Sequence, residues 1–348
     1  MQNRTVKKQS HKNIPSAEKR IGPNGEKGYV HNPKFSFQDL DLNSTNINHN
    51  VLCKDLNEFE EIASYRIKKQ IQSDYDVSRK KISIFCAVYT YSKHKDFTKA
   101  IQETWGKKCD GLLFASDISD FESGHVHLPS NSIYGFSYKG IIQKLRVMYS
   151  YVYDNFLNDY DYFHFVGDDA YLIMENLRYF LTSKKVQMWE DRKDRYLIAG
   201  FWMSFGKMKP KDFFLAGGSG YTLSRKALKE YVEGPLQNCS IEKEGSQEDV
   251  FFTNCVKEYM TKEFIFTGDE DGSQRYHQAP LYAPLRNSVV RKSIQNMQKL
   301  TNISLILSKN DVNVISNTTI AFHQHKHPDE LRRLELIFYG NYRHVCDL

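Results

Sequence analysis

Two adjacent carboxylates, Asp168 and Asp169, follow a short apolar stretch and could hold a divalent cation. The stretch Tyr162–Val166 is aromatic and branched, which favours a buried strand, and Gly167 suits an abrupt end to it. Open α/β sheets bind ligands beyond the carboxyl ends of their strands, so this position predicts a site for a metal and a phosphate-bearing substrate. Taken alone, however, Gly-Asp-Asp favours an ordinary turn or a helix N-cap, and other motifs must decide.

Two further motifs have residue types suited to chemistry. Glu248 and Asp249 lie at the start of a predicted helix, where the helix dipole favours anionic side chains. A capping role therefore explains the presence of one of these two carboxylates. The alternating histidines His323, His325 and His327 follow a predicted strand, and their spacing resembles that of a metal site. Because histidines are common at exposed strand ends, we expect at most one of them to be a ligand.

A glycine cluster, Gly217, Gly218 and Gly220, lies between an apolar run and a helix that begins near Ser224. Glycines permit close approach of the backbone to a ligand. The cluster lacks the Gly-x-Gly-x-x-Gly spacing and the trailing lysine of nucleotide-binding loops. It therefore predicts a turn that lines a pocket rather than a phosphate-binding loop.

Strand and helix patterns must position these motifs. Apolar runs predict strands at residues 81–91, 111–116 and 196–203, and helical spacing predicts helices at 56–71, 97–106, 140–155, 177–181 and 329–338. Residues 117–134 and 269–290 have the composition of loops. The order strand, helix, strand over residues 81–116 predicts a right-handed βαβ unit with parallel pairing, which is typical of an α/β fold.

Composition bounds the class of protein. The 348 residues are 40% apolar and 14% aromatic, enough to bury the core of one large domain or two smaller ones. Residues 1–50 are polar and predict a disordered or stem-like arm, which leaves 51–348 as a single domain. The net charge of +6 is dispersed, and Met208 and Pro210 interrupt the basic cluster 207–211, which argues against a nucleic-acid partner.

The sequence shows no membrane or export signal. No apolar run approaches the roughly 18 residues that a membrane span needs. Residues 1–20 are polar and basic and lack the apolar core of a signal peptide. From these features we expect a chain that is neither anchored in a membrane nor visibly secreted.

Six cysteines, at positions 53, 86, 109, 239, 255 and 346, show neither a Cys-x-x-Cys pair nor zinc-finger spacing. A structural zinc site is therefore not expected. Small buried thiols and the disulfides of a lumenal protein both remain open, since the number is even. Weak support for the lumenal alternative comes from the sequons at Asn3, Asn43, Asn238, Asn302 and Asn317.

Five segments, in matching order, give the chain a resemblance to glycosyltransferase family 31. They are Lys99–Cys109, Phe163–Leu177, Ala216–Leu228, Glu248–Val250 and Ala321–His323. Within the family the chain is most similar to the core 1 β1,3-galactosyltransferases, with the fringe enzymes as nearer relatives than the rest. The resemblance implies a GT-A fold, in which a mixed α/β sheet is flanked by helices. It also implies a UDP-sugar donor, a Mn²⁺ cofactor and inversion at the anomeric carbon.

The resemblance assigns roles to the motif around the first carboxylates. The family carries a three-aspartate run whose last member binds the metal; Asp169 matches that position, with His323 as a second metal ligand. Asp168 matches the middle position and inherits a role in ribose binding or in the metal shell. Gly167 stands where the family has the first aspartate, which weakens the expected contacts with the nucleotide.

The resemblance also assigns a base and a pocket. Glu248 and Asp249 match the acidic pair that supplies the general base, the group that removes the proton of the acceptor hydroxyl. Asp249 is the first choice for that role. The family's glycine segment lines the donor and acceptor pocket, and the matching residues here are Gly217, Gly218, Gly220 and Tyr221.

Partners, cysteine pairing and compartment follow from the same resemblance. The implied partners are a UDP-sugar and a glycoprotein or glycan acceptor, and a homodimer is left open. The pairs Cys86–Cys109 and Cys239–Cys255 match positions expected to form disulfides, whereas Cys53 and Cys346 have no assignment. Family members work in the Golgi or the secretory-pathway lumen. Two alternatives remain: N-acetylglucosamine transfer of the fringe kind, and a catalytically inactive homologue that acts as a chaperone or glycan-binding protein.

Overall fold

The computed structural model describes residues 47–54, 67, 82–120, 123–129, 137–204, 213–240, 247–270, 272–281, 315–340 and 345–346. Six strands in this part of the chain form the central sheet: β1 Ile84–Tyr89, β2 Gly111–Ser116, β3 His125–His127, β4 Tyr162–Gly167, β6 Ile198–Ala199 and β9 Tyr221–Ser224. Their order is β3-β2-β1-β4-β9-β6. The first four run parallel, and β9 is antiparallel to both β4 and β6. The sheet is therefore mixed, as predicted.

Four shorter strands form two antiparallel pairs beside this sheet. They are β5 Tyr171–Leu172, β7 Phe201–Ser204, β8 Phe213–Ala216 and β10 Ala321–Phe322. β5 pairs with β10, and β7 pairs with β8. The first pair joins the chain that follows β4 to a segment near the C-terminus, and so brings together residues about 150 positions apart in the sequence.

Helices cover both faces of the sheet. They are α1 His49–Leu52, α2 Lys95–Glu103, α3 Ile141–Phe156, α4 Met174–Leu181, α5 Lys184–Glu190, α6 Arg225–Glu233, α7 Pro235–Asn238, α8 Glu248–Tyr259 and α9 Pro328–Tyr339. Alternate residues of β1 face opposite layers, as the pleat requires. Ile84 and Val88 join a core with α2, α4 and α9, whereas Phe85 and Ala87 join a core with α3, α6 and α8.

The sheet has a topological switch point between β1 and β4. The chain runs from β1 through α2 to β2 and β3 on one side, and then returns through α3 to β4 on the other side of β1. Ligands of open α/β sheets bind at such a point, outside the carboxyl ends of the strands. Here those ends are followed by Thr90 and by Asp168 and Asp169. The position predicted for the carboxylates is therefore confirmed.

The βαβ unit pairs in parallel as predicted, with Phe85 opposite Gly111, but one strand lies where the sequence predicts a loop. β3 falls within residues 117–134, and it pairs with β2. Its His125 is buried, stacks on Phe114 with ring centroids 5.2 Å apart, and lies 3.2 Å from the Thr98 hydroxyl through Nε2. The loop prediction is wrong here because tertiary contacts, rather than strand propensity, hold this three-residue strand.

Two other boundaries differ from the prediction. The apolar stretch 196–203 forms two strands rather than one, because Gly200 separates β6 from β7 and each strand pairs with a different partner. The helix predicted at 97–106 ends at Glu103, and Trp105–Lys108 continues as a 3₁₀ turn. The Trp105 indole is buried and donates to the Ala170 carbonyl at 3.1 Å, so it anchors this turn beneath the segment that follows β4.

The N-terminal described segment packs against the last helix. Asn48 caps α1, and its backbone N–H donates to Asp329 Oδ2 at 2.6 Å. The predicted boundary between arm and domain at residue 50 therefore falls inside a structured segment that begins no later than Ile47. The division of the chain into an arm and one domain stays a prediction, because residues 1–46, most of the helix predicted at 56–71 and the basic cluster 207–211 lie outside the described residues.

All six cysteines form disulfides. Cys86 pairs with Cys109 and Cys239 pairs with Cys255, which confirms the pairs that the family resemblance implies. A third bond joins Cys53 to Cys346, the two cysteines without an assignment, and links α1 to the C-terminal end of the chain. Among the described residues, no helix combines the length and the apolar character required to cross a membrane.

Candidate functional site

Asp169 and His323 form a pair at the edge of the sheet. Asp169 lies two residues after β4, and the pairing of Phe322 with Tyr171 brings the next residue, His323, beside it. His323 Nε2 lies 3.1 Å from Asp169 Oδ1. Burial opposes ionisation of this carboxyl, but the hydrogen bond and the charge of His323 hold the pKa of Asp169 below its ordinary value. Asp169 is therefore ionised at neutral pH, as its predicted role as a metal ligand requires.

This pair fits a divalent cation. It offers one carboxylate oxygen and one imidazole nitrogen, both of which bind Mn²⁺-like ions. His323 Nδ1 is buried and makes no hydrogen bond within the described residues, so the ring is tied to Asp169 alone. No group of three or more His, Cys, Asp or Glu side chains in the described segments could hold an ion. A cation bound by this pair would complete its shell with water and phosphate oxygens, as is usual for ions that act on phosphates.

Asp168 has different partners from its neighbour. Its Oδ2 accepts a hydrogen bond from the Thr90 hydroxyl at 2.6 Å and lies 2.9 Å from His94 Nδ1. The hydrogen bond to Asp168 raises the pKa of His94. Lys144, from α3, donates to the Thr90 carbonyl; burial lowers the pKa of this lysine to about 8, against the opposing charge of Asp168. Asp168 is thus held by two side chains from the segment that follows β1, and Lys144 of α3 fixes the backbone of that segment. The metal and ribose roles of Asp168 remain predictions.

The glycine segment packs directly against His323. A Cβ at Gly218 would lie 2.2 Å from His323 Cε1 and 2.4 Å from Gln278 Oε1, closer than any side chain could come. The Gln278 amide donates to the Ala216 carbonyl at 3.0 Å and to the Ser219 hydroxyl at 2.8 Å. Gly218 therefore allows the segment to close over His323, and Gln278 holds it there.

The same segment also contacts the second acidic motif. A Cβ at Gly217 would lie 2.7 Å from Tyr221 Oη and 3.4 Å from Glu248 Oε2. Gly220 has φ of 84° and lies over His164, where a Cβ would be 2.5 Å from Nε2, so both the backbone and the space demand glycine. The three predicted glycines and Tyr221 are therefore brought together between the two acidic motifs.

Glu248 is a buried carboxyl held by two tyrosines. Tyr221 Oη lies 3.2 Å from its Oε2, and Tyr149 Oη lies 3.5 Å from its Oε1. The residue is 6% exposed. Burial, together with the charge of Asp249, raises the pKa of Glu248 to about 8. Because its partners are tyrosine hydroxyls rather than helix amides, capping of α8 does not explain Glu248.

Asp249 is half-buried and more open than its neighbour. Its Oδ2 accepts from the Gly217 N–H at 3.4 Å and its Oδ1 from the Val250 N–H at 2.9 Å. Burial raises the pKa of Asp249, and these amides oppose the increase. The carboxylate is therefore fixed against the glycine segment by backbone amides, whereas tyrosine hydroxyls hold Glu248.

The other two C-terminal histidines have structural partners. His325 is buried, and its Nδ1 lies 3.5 Å from Glu330 Oε2. His327 caps α9, since its Nδ1 accepts from the Asp329 N–H at 3.2 Å. Of these three described histidines, His323 is the one whose side chain pairs with Asp169. The expectation that at most one of the three is a metal ligand stays a prediction.

The family of this chain follows from comparison with known proteins. A family model described as Fringe-like matches residues 79–341, which is most of the chain and contains every predicted site residue. The chain belongs to the Fringe-like family. This confirms the resemblance drawn from the sequence motifs, and the mixed sheet flanked by helices is the α/β architecture of a GT-A fold.

One curated relative of this Fringe-like protein extends the comparison. The chain is 31% identical over 183 residues to glycoprotein-N-acetylgalactosamine 3-beta-galactosyltransferase 1 of Xenopus laevis. The match covers 51% of this chain and 46% of the relative, so the chain spans about half the length of the curated protein that it matches. The name describes the relative's activity.

Sequence reasoning missed several residues of this site. Thr90, His94 and Lys144 surround Asp168, Tyr149 holds Glu248, and Gln278 fixes the glycine segment. The apolar run that predicts β1, residues 81–91, has Thr90 near its end, and this is the one signal that could have found that residue. Of the other four, Lys144 and Tyr149 lie on α3, His94 lies in the turn after β1, and Gln278 lies in a loop. Only the tertiary fold brings these residues to the carboxylates and the glycine segment.

Proposed function

We propose that this protein is a metal-dependent inverting glycosyltransferase. It transfers the hexose galactose from a UDP-sugar to a hydroxyl of a glycoprotein glycan in β1,3 linkage. One observation carries the proposal: the glycine segment contacts both acidic motifs, so that Gly218 lies against His323 and Gly217 lies against Glu248. These contacts support a cation site at Asp169 and His323 and an acidic pair at Glu248 and Asp249 on two sides of one short segment, as a transferase requires.

Asp169 and His323 would hold the cation, which when bound supplies positive charge to offset the charge that builds on the departing diphosphate. The chain's own residues do the rest. The glycine segment presents its backbone to the donor, and Asp168 with Thr90 and His94 forms a polar wall at the carboxyl end of β1. These groups orient the donor so that its anomeric carbon faces the second acidic motif.

Asp249 is the proposed general base. It takes the proton of the acceptor hydroxyl as the acceptor oxygen bonds to the anomeric carbon and the bond from that carbon to the diphosphate oxygen breaks. Glu248 has its pKa raised to about 8 and is largely protonated at neutral pH. Two neighbouring carboxyls with separate environments commonly divide into an acid form and a base form. This division supports Asp249, the more open of the two, as the base.

The comparisons support the finer statements. The name of the Xenopus relative supports galactose as the sugar and an N-acetylgalactosamine-bearing glycoprotein as the acceptor. Three disulfides support an oxidising compartment, such as the secretory-pathway lumen. Carboxylate and imidazole ligands support Mn²⁺ as the ion.

The test is a panel of UDP-sugars assayed with and without Mn²⁺. Release of UDP from UDP-galactose, stimulated by an N-acetylgalactosamine acceptor and lost on removal of the metal, is the expected result. Preference for UDP-N-acetylglucosamine would instead indicate transfer of the fringe kind. Calorimetric titration of UDP in the presence of Mn²⁺ shows whether the protein binds the nucleotide. Together with the release of UDP in the panel, it separates an enzyme from a homologue that binds without turnover.

An inactive glycan-binding homologue is the second candidate, because Gly167 lacks the side chain that the family places there. If the panel shows no release of UDP from any donor while UDP still binds, this candidate replaces the first. If UDP itself does not bind, both the donor site and its metal are excluded.

A further inference from the structure

Tyr89 fills the space beside Gly167 in the middle of the site. It is the last residue of β1 and lies directly opposite Gly167, the last residue of β4, in the parallel register. A Cβ built on Gly167 would lie 2.9 Å from Tyr89 Oη and 3.0 Å from Tyr89 Cζ. A side chain at residue 167 and the phenol at residue 89 therefore compete for one volume.

The phenol also lies beside the metal-binding carboxylate. Asp169 Oδ1 is 3.2 Å from the Cβ position built on Gly167. The Tyr89 hydroxyl and the Asp169 oxygen therefore border one small space above Gly167. Tyr89 is half-buried, and its hydroxyl makes no hydrogen bond with the other described residues, so a ligand could supply its partner. A neutral O–H that faces carboxylates and has no acceptor of its own is suited to donate to an anion that arrives with a cation.

We propose that Tyr89 is a donor-substrate contact, whose phenolic O–H hydrogen-bonds an oxygen of the nucleoside diphosphate in the space above Gly167. The inference rests on the proposed function, since it takes a nucleoside diphosphate as the ligand of this site. The phenol supplies a polar contact at the position where residue 167 supplies none. Gly167 and Tyr89 therefore act as a pair, because the glycine leaves room for the phenol.

The burial and charge around Tyr89 agree with this role. Burial raises the pKa of Tyr89 well above its ordinary value, and the negative charge of Asp169, joined by that of Glu248 when it ionises, raises it further. The hydroxyl therefore stays protonated and can donate throughout the neutral range. Asp169 and Glu248 belong to the two acidic motifs, so the phenol lies within the electrostatic influence of both.

Tyr89→Phe removes only the hydroxyl and leaves the ring in place over Gly167. With Mn²⁺ present, we expect it to weaken UDP binding in calorimetry by roughly 10-fold or more, the loss of a hydrogen bond to a charged group. Tyr160→Phe is the matched control. Its hydroxyl also lies over a glycine, 2.6 Å from a Cβ built on Gly111, but at the opposite end of the parallel strands. The control should bind UDP like the wild type.

A second variant tests the pairing. Gly167→Ala brings a methyl group against the phenol and should weaken UDP binding, and less so when Tyr89→Phe is already present, so the two losses should not add. If Tyr89→Phe binds UDP within about twofold of the wild type, or if the two losses add, the inference is overturned while the proposed function stands. If the wild type binds no UDP with Mn²⁺, the proposed function itself fails, which is a separate result.

Discussion

Replacing Glu248 by glutamine should change how the stability of this protein depends on pH. The buried carboxyl has its pKa raised to about 8, against an ordinary value of 4.5. Between these values the native state binds a proton that the unfolded chain has lost, so stability falls as pH rises. Glutamine keeps the shape and the contacts with Tyr149 and Tyr221, and it does not titrate.

The size of the effect follows from the two pKa values. Each pH unit between 4.5 and 8 costs the wild type about 1.4 kcal/mol relative to the glutamine variant. At pH 7 the difference is roughly 3 kcal/mol in favour of the variant, and it approaches zero below pH 4.5. These figures are upper values, because water that enters on ionisation would reduce the cost of burying the charge.

Urea denaturation of both proteins at several pH values from 4.5 to 8 measures the difference in the free energy of unfolding. The m-values should agree, so that the midpoints report stability alone. A gap that widens with pH supports a protonated Glu248. A gap that is constant across the range, or a variant less stable than the wild type at pH 8, would refute the reasoning, because Glu248 would then be ionised and stabilising.

Three further predictions concern the site and the disulfides. Asp249→Asn should leave the affinity for UDP nearly unchanged but lower turnover by roughly 100-fold to 10,000-fold, as measured by steady-state kinetics; full turnover would move the base to another group. Gly218→Ala should abolish the increase in UDP affinity on adding Mn²⁺, because its Cβ would lie 2.2 Å from His323; calorimetry that shows the increase intact would contradict the contact. Replacing Cys53 and Cys346 by serine should lower the free energy of unfolding by up to about 5 kcal/mol, since the bond spans 293 residues; unchanged urea midpoints would contradict this.

The sequence predicts the parts of this molecule that depend on local patterns. The apolar run Tyr162–Val166 and the carboxylates after it are enough to predict β4 and the edge at which Asp168 and Asp169 lie. Periodicity predicts the helix that contains Lys144. It does not predict the contact of Lys144 with Thr90, because periodicity does not tell which residue reaches the end of a strand. Motif order, rather than any single motif, carries the family assignment.

What sequence reasoning could not supply depends on register and burial. Tyr89 lies over Gly167 only because β1 and β4 pair in one particular register. The high pKa of Glu248 depends first on burial beneath the glycine segment and then on the charge of Asp249. The strand β3 forms around a buried histidine that has no strand signal in the sequence. Each of these features results from contacts between segments far apart in the chain.

The most direct test of the account is hydrolysis of UDP-galactose by the wild type and by Asp169→Ala, each measured with Mn²⁺ and with EDTA. We expect release of UDP by the wild type with Mn²⁺, and none with EDTA or in the variant, because Asp169 and His323 are the proposed cation ligands. Full activity of the wild type under EDTA, or of Asp169→Ala with Mn²⁺, would contradict the proposal that this protein is a metal-dependent glycosyltransferase.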